Sequence, residues 1–183
     1  MPNNSLPSRR SRLFGSLKRM TLAAMLVAMS VVIGILCKNF LNFSNGLLRI
    51  TFENLPILLT GIFLGPIAGG VVGIASDLVS YLLSPQTYPP NLIVTLGACT
   101  IGVISGLMAK YVVKARGYKQ IIFSCAAAHV VGSMIIKTVG LFTFYGWAVL
   151  IRFPLYAVIS TLEISLLCLL WRQKSFRRLF ENL

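Results

Sequence analysis

Long uncharged runs, separated by short polar or basic stretches, set the pattern of this chain. The first run, Met20 to Cys37, holds 18 residues without a charge and ends at Lys38. About 20 such residues cross a bilayer as one helix. The next stretch, Gly46 to Leu83, is long enough for two crossings, and nothing between Asn54 and Ser76 is charged. Pro56 and Gly65-Pro66 divide it, because proline is tolerated in a first helical turn and breaks a helix later. That division predicts spans over Ile50–Leu64 and Pro66–Leu83, with a tight reversal at Leu64-Gly65-Pro66. Ser84–Asn91 (SPQTYPPN) reads as a proline-rich connection ahead of a fourth span, Leu92 to Ala109. A fifth runs from Gln120 to Tyr145, interrupted by Lys137, and a sixth from Arg152 to Trp171, with Pro154 in its first turn. The predicted fold is an all-α membrane protein of six transmembrane helices.

Two helix faces carry finer patterns. Gly65, Gly69, Gly73, Asp77 and Tyr81 recur every four residues, which sets them along one side of the third span. Three small residues in a row let a neighbouring backbone come close, and the same row then presents a carboxylate. Ala24 and Ala28 form a shorter row in the first span, open to two readings: packing within the bundle, or contact with a partner helix. Residues 38–49, KNFLNFSNGLLR, keep Phe40, Leu41, Phe43 and Leu47 between polar ends. This loop serves either as a lid over a site or as a segment resting on the membrane interface.

Composition agrees with the pattern, and charge fixes the orientation. The 183 residues are 56% hydrophobic and 11% charged, against roughly 25% charged in soluble domains. A net charge of +13 would suit a nucleic-acid binder, but the basic residues cluster between apolar runs, as in loops facing anionic lipid. Thirteen Lys/Arg fall at the N-terminal end, in the loop after the fourth span and at the C-terminal end; Lys38, Arg49 and Arg152 fall on the other side. The positive-inside rule therefore places both termini in the cytoplasm. Residues 1–17 are then a basic cytoplasmic segment, 18–172 the membrane domain and 173–183 a basic cytoplasmic tail. The start lacks a small-x-small cleavage site followed by a polar mature domain, so it reads as retained rather than as a secretory signal. Cys37, Cys99, Cys125 and Cys168 lie in or beside apolar runs with no CxxC pair, which makes them small apolar residues rather than disulfides or metal ligands.

Six charges sit where lipid should be. Measured from the outer span ends at about 1.5 Å per residue, Glu53 lies roughly 5 Å deep, Asp77 about 9 Å, Lys137 about 12 Å and Glu163 about 18 Å. Arg49 and Arg152 stand at the outer rim. Such charges mark a functional site by default, here a polar pocket open to the outside. Asp77 and Lys137, at similar depths, either neutralise one another as a structural ion pair or also hydrogen-bond a ligand. The arginine rim would suit carboxylates on that ligand. Tyr81, Tyr88, Trp147, Phe52, Phe142 and Tyr145 lie near the outer half as candidate ring-stacking groups. Enzyme and nucleotide motifs are missing: GSMIIKT at Gly132–Thr138 lacks the glycine before the lysine and is one residue short of a phosphate-binding loop. His129, alone among alanines and Val130, reads as a packed histidine rather than a ligand. No residue set calls for a cofactor or a metal.

RITFENLPI, GPIAG, VG and SDLVSYL, all within Gly46–Leu83, resemble the folate-specific S components of energy-coupling factor transporters. The six-span layout, basic ends and alanine row resemble S components generally, over about residues 18–172. The resemblance implies a substrate-binding subunit, not an enzyme, that captures a folate from outside with high affinity. It further implies a transmembrane coupling (T) subunit and two cytoplasmic ATPases as partners, with Ala24 and Ala28 as the coupling contact and residues 38–49 as a gate. From depth and charge, the ligand candidates are Asp77, Lys137, Arg152, Arg49, Glu53, Tyr81, Tyr88 and Trp147. Other readings are an S component for thiamin, riboflavin or another heterocycle, and a membrane enzyme or structural membrane protein.

Overall fold

Polar residues are buried inside this bundle beside its apolar core, and large apolar residues cover its outside. Ser30, Thr60, Ser105, Ser124, His129, Lys137, Arg152 and Glu163 are buried, while Val32, Leu36, Val71, Leu96, Phe123, Val158, Leu166 and Leu169 are exposed. Water would penalise that arrangement, and a hydrocarbon solvent favours it. The structure, a computed structural model, describes residues 17–43, 48–83, 91–113, 117–174, 176 and 177, the side chains of 42, 43, 48 and 49 excepted.

Helix α1 covers Leu17–Phe40 and buries Ala23, Leu26, Ser30, Gly34 and Cys37, spaced three or four apart as one stripe. The loop that follows pairs Asn42–Phe43 (β1) with Leu48–Arg49 (β2), antiparallel, with Asn42 opposite Arg49. Apart from this two-residue pairing, the described elements are helical.

Helix α2, Asn54–Leu64, is shorter than the span expected over Ile50–Leu64. Eleven residues rise about 16 Å, half a hydrocarbon core. Pro56 fixes the start, since its ring is accommodated only in the first turn, and the amide of Ile50 is already committed to the Leu41 carbonyl at 3.2 Å. Residues 50–53 consequently lie outside the helix, tied to Leu41 through Ile50 and to Ser30 through Glu53. Gly65, at φ +104°, closes α2 and opens the reversal into α3, Pro66–Leu83.

The glycine ridge of α3 meets α4, Leu92–Leu107. A Cβ at Gly69 would come 2.5 Å from the Gly102 carbonyl oxygen, and one at Gly73 would strike the Ala98 carbonyl. Only glycine permits that approach. Gly65 was expected in the same ridge and is not part of it: no atom lies within 4 Å of its Cβ position, because the residue sits in the turn beyond the contact. Asn91 caps α4, its Oδ1 accepting from the Ile93 amide at 2.9 Å and its Nδ2 donating to the Gly140 carbonyl at 2.6 Å.

After α4 and a π turn at Met108–Val112, one helical run of 55 residues extends from Tyr118 to Arg172. It comprises α5 (Tyr118–Ala128), a π stretch (His129–Lys137), α6 (Thr138–Tyr145), a 3-10 segment (Gly146–Ile151) and α7 (Arg152–Arg172). It cannot be straight, because His129 and Glu163 come within 2.6 Å. The reversal lies at Gly146, φ +54°, and the 3-10 turn after it. Four runs are long and apolar enough to cross a bilayer, namely Leu17–Phe40, Pro66–Leu83, Leu92–Val112 and this folded-back one. At the end of the bundle that holds Leu64, Phe63 stacks on Trp171 at 5.3 Å and meets Phe176 edge-on at 6.3 Å, so part of the predicted tail packs against the bundle.

Candidate ligand-binding site

The opposite end, where α1, α3 and α6 finish and α2, α4 and α7 begin, holds a polar cavity of about 80 Å³. Allowing about 10–15 Å³ per water, it has room for several. Its walls bring together Glu53, Asp77, Tyr81, Lys137 and Arg152, five of the residues expected at a site. Lys38, Asn54, Thr95, Ser133 and Tyr156 join them.

Each charge has a structural reason for its place. Lys137 ends the π stretch and is 7% exposed. Its Nζ donates to Asn54 Oδ1 at 2.9 Å and stands 3.9 Å from Glu53 Oε1. Its stem lies against α4, where a Cβ at Gly97 would come 2.6 Å from Lys137 Cγ. Glu53, just before α2, is pinned to α1 twice. Its carbonyl accepts from Ser30 Oγ at 2.7 Å, and its carboxylate lies over Gly34, whose Cβ would be 2.9 Å from Oε2. Asp77 extends the α3 ridge and accepts a 2.6 Å hydrogen bond from Thr95 Oγ1 of α4. Lys38, at the end of α1, donates to Ser80 Oγ at 2.8 Å. Between these groups and Ser30, Ser76 and Ser80 lies a second cavity of about 10 Å³, the size of one water.

Two expectations are corrected here. Asp77 and Lys137 share the cavity but do not form an ion pair: Asp77 accepts from Thr95, and the lysine's carboxylate neighbour is Glu53, which stands immediately before α2 beside Asn54, the lysine's hydrogen-bond partner. Arg152 is not an exposed rim residue. It is 6% exposed, lies 5.6 Å from the Tyr145 ring and donates to Tyr156 Oη at 3.2 Å, since the 3-10 turn tucks the start of α7 under α6.

The remaining candidates lie elsewhere. Trp147 does not line the cavity; it is 77% exposed, with its ring edge-on to Phe142 at 5.5 Å. Tyr88 lies outside the described residues, as does the side chain of Arg49. Ala24 and Ala28 are both exposed on α1, away from the stripe that packs inside, so internal packing does not account for them. Among the residues the sequence did not single out, Tyr156 was findable as the residue one turn beyond Arg152. Thr95 and Ser133 were not, because small hydroxyls recur on every face of these helices. Among the described residues, no group of His, Cys, Asp and Glu could hold a metal.

An apolar-sided helical bundle with a charged cavity at one end defines a class, the membrane proteins that bind a polar solute. Over residues 18–179 the chain matches the model of the substrate-specific component of ECF transporters, and it belongs to that family. The folate transporter FolT of Clostridium novyi (strain NT) is 26% identical over 145 residues, which cover 73% of this chain and 82% of that protein. The crystal structure of FolT bound with folic acid shares the fold at a TM-score of 0.60, with 23% identity over 84% of this chain and 90% of that one.

Proposed function

We propose that this chain is the folate-binding subunit of an energy-coupling factor transporter in a bacterial plasma membrane. It crosses that membrane six times, with both termini in the cytoplasm, takes its ligand from outside, and delivers it inward with a transmembrane coupling subunit and two ATPases. The cavity carries the reading: charged groups are buried at one end of the bundle, while Lys18, Arg19, Lys110, Lys119, Arg172 and Lys174 gather at the other. The positive-inside rule makes the cavity end the outer one. The family and the FolT relative support folate as the ligand.

A folate has a flat pterin with adjacent donors at one end and two carboxylates at the other. Asp77, with one oxygen held by Thr95, suits the pterin donors, since a carboxylate accepts paired hydrogen bonds. Lys137 meets a ring acceptor, held in place by Asn54 and Glu53. Tyr81 and Tyr156 line the walls for ring contact. Arg152 and Lys38 supply positive charge for the glutamate tail. Ala24 and Ala28, small and outward-facing, fit a partner helix at close range. Calorimetry on the detergent-purified protein tests the ligand, with folic acid expected to bind tightly and thiamin and riboflavin weakly. Tight thiamin or riboflavin binding without folate binding would replace folate by that vitamin.

A further inference from the structure

Beside the ligand cavity, and sharing Glu53, Asp77 and Lys137 with it, lies the smaller cavity of about 10 Å³, whose wall also holds Ser76 of α3 and is closed by Ile57 and Ala98. Two features of that wall call for a bound group. Ser76 is 3% exposed, and among the described residues its Oγ has no hydrogen-bond partner. Other hydroxyls in these helices turn back to a carbonyl one turn earlier, as Thr60 does to Pro56 at 2.8 Å and Ser165 to Thr161 at 2.8 Å. Ser76 forgoes that bond and stands in the cavity wall. The second feature is the pair of Lys137 and Glu53. Nζ and Oε1 are 3.9 Å apart, near enough to attract and too far for a direct hydrogen bond.

We propose that this smaller cavity is a binding site for one structural water, held by Ser76, which links Asp77 to the Lys137–Glu53 pair and makes Ser76 a positioning residue for the ligand site. A buried water needs about 10–15 Å³ and two to four polar partners. The wall supplies four, with the Ser76 hydroxyl and the Lys137 ammonium as donors and the two carboxylates as acceptors. A water both donates and accepts, so it meets all four at once. It also spans the lysine–glutamate gap, since a polar contact beyond about 3.5 Å is where a bridging water belongs. A cation is disfavoured there: Lys137 stands in the wall, and Ser80 Oγ, also in it, accepts from Lys38 Nζ at 2.8 Å, so two ammoniums repel it. Asp77 is thereby held from two sides, by Thr95 Oγ1 at 2.6 Å and by the water. A carboxylate has about four lone-pair sites, so two remain for a ligand, in an orientation set before the ligand arrives.

The water is independent of which ligand the protein takes, whereas the positioning of Asp77 for that ligand rests on the folate reading. Melting of the full-length purified protein without ligand tests the water. Ser76→Ala should lower the melting temperature by about 2–4 °C, because the bridging water loses a partner. A raised or unchanged temperature overturns the proposal, since alanine is the better helix former and losing an unpartnered buried hydroxyl is favourable. A melting temperature that rises when sodium replaces choline at equal ionic strength would put a cation in the cavity and overturn the proposal as well. Titration of folic acid tests the positioning. Ser76→Ala should weaken binding by about three- to tenfold. In an Asp77→Asn background the same substitution should cost nothing further, because it acts through that carboxylate. Equal losses in both backgrounds would overturn the role given to Ser76. An unsubstituted protein that ignores folic acid overturns the folate reading, and the melting comparison then decides the water by itself.

Discussion

At the scale of single residues, Asp77 and Arg152 separate what charge pattern predicts from what burial decides. Asp77→Asn replaces an acceptor by a mixed donor and acceptor beside Thr95, in the wall of the polar cavity. It should cost about 2–4 kcal/mol of folate binding by calorimetry, and unchanged affinity would remove Asp77 from the site. Arg152, read as a rim residue, would have contributed about 1 kcal/mol and lost it as salt rose. Its burial beneath α6, with Tyr156 and the Tyr145 ring as neighbours, changes both expectations. Arg152→Gln should cost about 2–4 kcal/mol, and the loss should hold as salt is raised, since a buried group is poorly screened. The presence of these charges was plain from sequence, because an ionisable residue in an apolar run stands out. Their partners were not, because Glu53 and Lys137 are 84 positions apart and meet only through the packing of α2 against the π stretch.

At the scale of elements, the contact between α3 and α4 brings two backbones into direct apposition. A Cβ at Gly102 would enter the Gly69 backbone, so Gly102→Ala must push two helices apart. The expected cost is about 1–3 kcal/mol of stability, read as a lowered melting temperature in detergent; no change would show that the pair can part freely. The four-residue spacing on α3 made this row legible beforehand, since spacing alone sets a helix face. Where the row ends was not legible, because a glycine in a turn and a glycine in a contact are the same letter. The start of α2 was misjudged for a related reason. Ile50 and Thr51 are apolar or β-branched enough to extend a span, but Pro56 holds the first turn at Asn54 and the amide of Ile50 is bonded back to Leu41.

At the scale of the whole molecule, the outward alanine face and the axial split of charge give two further expectations. Ala28→Trp puts a large ring where two backbones would touch, on an exposed face of α1. ATP-driven folate uptake by the complete transporter should be lost while folate binding by the isolated subunit stays nearly unchanged. Equal loss of both would return the row to internal packing. In a cysteine-free background, cysteine replacing the exposed Asn39 should react with a membrane-impermeant maleimide in intact cells, and cysteine replacing Lys119 should not. Labelling at Lys119 would invert the topology.

By itself the sequence determined the solvent, the helical class and, through the motifs RITFENLPI, GPIAG and SDLVSYL, the family. The first two follow from properties summed over many residues, such as apolar run length and basic clustering, which a bilayer reads one segment at a time. Tertiary structure alone decided which charges meet, which arginine is buried, and that a lone histidine faces a glutamate. Those outcomes depend on a reversal at Gly65, a widened helix at His129–Lys137 and a 3-10 turn at Gly146–Ile151. Each turns the side chains that follow it toward different neighbours. The local sequence barely registers such changes, because they are set by how neighbouring helices fill the space between them.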